Sequence, residues 1–170
     1  MSDSRRHRVA AGCLVIGAAL GMAGTFAPPS LRGLAWGLDG TALIVACALL
    51  AVHYVRRGND VAAGGFLVFV AGQTLVVAGS AMTFEASAPL FGAGAGLWAA
   101  SLAMVSASGA MPRAVNALGF VAALLFAVVA LQLFRGVGLT PISQPLPFFA
   151  YPPLVATLVG WAWTHYREVA

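Results

Sequence analysis

Long apolar runs separated by short polar breaks make up almost the whole chain. Six stretches, roughly 9–27, 34–55, 61–84, 88–110, 114–134 and 146–166, are nearly continuously apolar. Each is close to the ~20 residues that a helix rising about 1.5 Å per residue needs to cross a hydrocarbon core. None alternates with the period of two that marks a half-buried strand. Inside lipid only helices or closed barrels satisfy their own backbone. The pattern predicts an all-α integral membrane protein, a six-transmembrane-helix bundle in a single membrane domain over residues 1–170.

The breaks have physical causes. Pro28-Pro29 ends the first run because proline removes an amide donor and clashes with the preceding turn. Arg56-Arg57-Gly58 ends the second, Pro89 falls in the expected first turn of the fourth, and Pro112 precedes the fifth. The one long connection lies within Gln132–Pro153, which holds five of the nine prolines. It is expected to fold back on one surface without crossing, and to delay or kink the start of the sixth helix. Arg5, Arg6 and Arg8 ahead of an apolar run imitate a secretory leader, but Pro28 follows the candidate cleavage point after Ala27. The segment reads as a retained first helix.

Arginine placement adds a direction. Arg5, Arg6, Arg8, Arg56, Arg57, Arg113 and Arg167 fall on one side of the expected bundle, and only Arg32 and Arg135 on the other. The positive-inside rule then puts both termini in the cytoplasm and the chain in a cell inner membrane, as in bacteria, spanning it several times. Tyr54, Trp163 and Tyr166 match the inner interface and Trp36 and Tyr151 the outer one.

Composition excludes several functions. The chain is 61% hydrophobic and 8% charged, against about 25% charged for a soluble domain. No folded basic face is available for nucleic acid. All nine basic side chains are arginine, so no lysine exists for a Schiff base, retinal included. Cys13 and Cys47 lie apart within apolar runs and read as small buried hydrophobes. No phosphate-cradling loop and no H-E-x-x-H pair occurs.

The remaining candidates are few. Gly17 and Gly21 on the first helix, and Gly92 and Gly96 on the fourth, have the G-x-x-x-G spacing that lets helix backbones approach in lipid. A match between the two segments leaves open either a 3+3 inverted repeat or a chain of three hairpins. His53 and His165 stand at similar depth near the inner boundary, where two histidines from different helices can ligate a haem b. His7 is counted with the N-terminal tail. Asp39, Gln73, Glu85, Gln132 and Arg135 are the polar groups expected within or at the outer ends of the spans, and ionisable groups there suggest function. Asp39 is expected to bond Gln132 or Arg135 and fasten helix 2 to helix 5. Trp98 is expected deep in the bundle, and Asn116 at the start of the fifth helix.

Three readings follow. The first is a non-enzymatic accessory, structural or self-associating subunit, with the lipid bilayer, further copies or a larger membrane complex as partners. The second is a channel or carrier for a small neutral solute. The third is a haem- or quinone-binding protein.

Overall fold

The computed structural model describes residues 3–168. Six α-helices follow one another: α1 (Asp3–Phe26), α2 (Pro29–Arg56), α3 (Asp60–Ser80), α4 (Phe84–Ala107), α5 (Arg113–Phe134) and α6 (Tyr151–Arg167), the last preceded by a 3₁₀ turn at Phe148–Ala150. Among the described residues there is no strand. Five of the helices, α1 to α5, are long and apolar enough to cross a membrane. The sixth, α6, has 17 residues.

Each helix packs on its chain neighbours, and α1 also packs on α6, so the six backbones close into a ring. Helices on opposite sides of the ring, such as α2 and α5, do not approach. The start of α1, the end of α6 and the α2–α3 and α4–α5 turns lie at one end of the bundle, here the terminal end. The α1–α2 and α3–α4 turns and the 135–150 connection lie at the other, the loop end.

Helix ends follow local chemistry. Pro28 caps α2 with Pro29 in its first turn, where a missing amide costs nothing. Gly58, at φ +69°, turns the chain after α2 in the left-handed conformation that glycine adopts without strain. Asn59 then caps α3, its Oδ1 accepting from Ala62 N at 3.0 Å, while its Nδ2 donates to the Ser108 carbonyl at 3.3 Å. Thr83 Oγ1 caps α4 by accepting from Ala86 N. That cap starts the helix four residues before the expected 88 and moves Pro89 out of its first turn. The sixth helix begins at Tyr151, not at the expected 146, because 141–147 run as turns through three prolines. The first helix begins at Asp3, six residues before the expected 9.

The interior combines small residues with rings and leucines such as Leu14, Leu50 and Leu102. Ala10, Ala46, Ala62, Ala95 and Ala122 are all almost fully buried, which allows the close helix spacing typical of lipid-soluble bundles. Many large apolar side chains also face outward: Leu124 is 68% exposed and Phe134 67%. A bundle with its bulky apolar side chains on the outside has no stable arrangement in water.

Candidate functional site

A column of aromatic rings fills the axis of the ring. Tyr151 meets Phe126, Phe126 meets Trp98, Trp98 stacks on Phe69, Phe69 and Phe66 meet Trp161, and Phe66 stacks on Tyr54, with centroid separations of 5.0 to 6.1 Å. Edge-to-face and offset contacts of this kind hold rings firmly. Two features lie at the ends of this column.

At the loop end is a cavity of about 80 Å³, enough for several waters or one molecule of a few heavy atoms. Its walls come from α1, α2, α3, α4 and α6, with Pro141 of the long connection above. Asp39, Gln73, Trp36, Trp98 and Tyr151 bring polar atoms to it. Three of those atoms are buried with no hydrogen-bond partner among the described residues: Asp39 Oδ1, Gln73 Oε1 and Trp98 Nε1. Gln73 and Trp98 are 1% and 5% exposed. The residues that carry these two free acceptors and one free donor all line one space.

Of the polar cluster read from the sequence, Asp39 and Gln73 line this cavity, while Glu85, Gln132 and Arg135 do not. Glu85 and Arg135 are exposed at helix ends. The expected tie from Asp39 to helix 5 is not made. Helices α2 and α5 stand opposite each other in the ring, and the Asp39 carboxyl lies beside Gly21 of α1, where an added Cβ would sit 3.1 Å from Oδ2. Depth alone suggested Gln132 and Arg135; the angular order of the helices separates them from Asp39.

At the terminal end three histidines meet. His7 Nε2 and His53 Nδ1 share a hydrogen bond of 2.9 Å. His165 lies 5.8 Å from both ring centroids. Its Nδ1–H donates to the Trp161 carbonyl at 2.7 Å, which leaves Nε2 to accept from the Tyr54 hydroxyl at 3.0 Å. Glu168 closes the group, accepting from Arg57 at 3.1 Å. His53 and His165 do come together as read from the sequence. A haem between them would have to displace His7, which is in ring contact with both.

His7 is the residue that sequence reasoning missed. Its arginine neighbours look like a tail, yet it belongs to a helical stripe. His7, Ala10, Ala11, Leu14, Gly17 and Ala18 are the buried face of α1, at the i, i+3, i+4, i+7 spacing of an amphipathic helix. That spacing was present in the sequence.

The glycines sort by face. A Cβ at Gly17 would lie 2.5 Å from Leu43, one at Gly92 3.2 Å from Leu133, and one at Gly96 3.6 Å from Ala130. The α1 pair therefore faces α2, and the α4 pair faces α5. Among the glycines, the shortest distance from an added Cβ to facing backbone is elsewhere, between Gly72 of α3 and Gly94 of α4.

The ring of apolar helices, bulky side chains outward and polar groups gathered at a cavity and a histidine cluster, defines an all-helical bundle of the multi-pass membrane class. Comparison with protein-family models, curated proteins and solved structures found no match.

Proposed function

We propose that this protein crosses the membrane six times with both termini in the cytoplasm and acts as a carrier for a small neutral or weakly polar solute. The 17 residues of α6 rise about 26 Å at ~1.5 Å each, and the 3₁₀ turn before them extends the segment toward the ~30 Å core. The arginine bias favours the terminal end as the cytoplasmic one. Topology reporters fused at Gly58 and Ala170 are expected to read inside, and at Ser87 and Gly138 outside. An outside reading at Ala170 would reject the six-span arrangement.

One observation carries the carrier reading: Asp39, Gln73 and Trp98 line one cavity, and each has a buried polar atom without a partner among the described residues. An unpaired buried polar group costs about 1–3 kcal/mol. A subunit that only packs has no use for three of them around one space, whereas a solute bearing two N–H or O–H hydrogens and one acceptor pairs all three. Small polyols and primary amides fit that description. The aromatic column below the cavity fills the axis, which argues for a carrier that must rearrange rather than an open pore.

The test is uptake of radiolabelled glycerol, ethylene glycol, urea and acetamide into proteoliposomes, alongside tryptophan fluorescence in detergent. At least one solute is expected to enter faster than into protein-free vesicles and to change the emission. Neither uptake nor an emission change for any of the four would reject the reading.

A further inference from the structure

The structure assigns His7, His53 and Glu168 as a binding site for one divalent transition-metal ion of the zinc kind at the terminal end of the bundle. Each of the three can offer one ligand atom such that all lie within 4.8 Å of one another. They come from α1, α2 and the residue just beyond α6, so an ion there would tie three helix ends together.

Two atoms point to the ligand. His7 Nδ1 and His53 Nε2 are buried and have no hydrogen-bond partner among the described residues. Both face the same carboxylate oxygen, Glu168 Oε2, at 3.7 and 3.8 Å. Those separations are too long for hydrogen bonds. They are close to the ~3.4 Å that separates two ligands each about 2.0–2.1 Å from a tetrahedral zinc ion. Two imidazoles and one carboxylate form a donor set that zinc accepts, with a fourth position left for water.

The surroundings select the kind of ion. Arg57 bonds the other Glu168 oxygen at 3.1 Å, and Arg6 and Arg56 pair with Asp3 nearby. Three guanidinium groups disfavour a hard cation held by charge alone, such as magnesium. An ion that forms strong bonds to imidazole nitrogen tolerates them better. His165 is not a ligand, because both its nitrogens are already engaged by Trp161 and Tyr54; it forms a fixed wall.

Proton bookkeeping gives a distinctive consequence. A neutral imidazole bound to metal through one nitrogen keeps N–H on the other. With both histidines bound as neutral rings, Nε2 of His7 and Nδ1 of His53 would each carry hydrogen and could not share the 2.9 Å bond seen between them. Metal binding therefore opens the His7–His53 bond by turning one ring, and no proton need leave.

The experiment is zinc titration of the untagged full-length chain in mild detergent, by calorimetry, followed by cobalt substitution and visible absorption. One zinc ion per chain is expected, with no competing magnesium binding and a cobalt spectrum of tetrahedral intensity. Glu168→Gln changes an exposed residue and should leave the fold intact, yet it should weaken zinc by more than the roughly 10–100-fold typical of losing an outer-shell partner. His53→Ala should do the same, while His165→Gln should keep zinc affinity within a few fold. Equal affinity in wild type, Glu168→Gln and His53→Ala would overturn the assignment, as would the absence of stoichiometric zinc binding.

Discussion

Gly72→Leu should leave little folded protein in detergent, while Gly12→Leu should behave as wild type. A Cβ at Gly72 would lie 2.9 Å from Leu97 Cβ, 3.0 Å from the Gly94 carbonyl oxygen and 3.1 Å from Trp98 Cδ1. The reciprocal Cβ at Gly94 would lie 2.9 Å from the Gly72 carbonyl oxygen. These neighbours are backbone oxygens, a Cβ fixed to its backbone and a ring carbon, not the far end of a flexible side chain. Adding carbon to a close-packed site costs ~1–3 kcal/mol even where the surroundings adjust, and here two helix axes must separate. At Gly96 the nearest atom is Ala130 Cβ at 3.6 Å, and at Gly12 nothing lies within 4 Å. The expected order of melting temperatures is Gly12→Leu highest, then Gly96→Leu, then Gly72→Leu. Thermal melts followed by size-exclusion recovery measure it. A Gly72→Leu protein as stable as Gly96→Leu would mean that α3 and α4 are not in the contact described.

Gln73→Leu should raise the melting temperature and abolish solute uptake. The Gln73 amide oxygen is buried without a partner among the described residues. Replacing the side chain with an apolar one of similar size removes that unpaired group, a gain of about 1–3 kcal/mol. For a chain of this length each kcal/mol moves the melting point by roughly 2–4 °C. Asp39→Leu should act in the same direction, since no helix-5 donor is stranded by its removal. A site that trades stability for binding shows this pairing of gain and loss. A fall in melting temperature with uptake unchanged would show that Gln73 serves packing, and the carrier reading would lose its main support.

The glycine result also shows why part of the architecture was hidden. The G-x-x-x-G spacing marks Gly92 and Gly96 as one face of α4, and that face does meet α5. Gly94 lies two residues from each, about 200° around the helix at ~100° per residue, and so meets α3 instead. A run of alternating glycines offers two faces, and sequence spacing does not say which helix each will meet. The same gap explains Asp39. Its depth was legible from its position in α2, but its partner depended on the order of helices around the ring.

By itself the sequence determined the solvent and the kind of element. Runs of ~20 apolar residues with 8% charge bury their backbone polar groups only as helices in lipid, and prolines and glycines placed most of the breaks. It carried the buried stripe on which His7 lies. Only the tertiary structure decided which helix faces meet, because packing between apolar helices in lipid has no strong hydrophobic preference and turns on shape at small residues. Closure of α1 onto α6 brought His7 and His53 beside Glu168. The same ring order placed Asp39 against a cavity and not against α5, since α2 and α5 stand opposite each other and the Asp39 carboxyl turns toward Gly21 of α1.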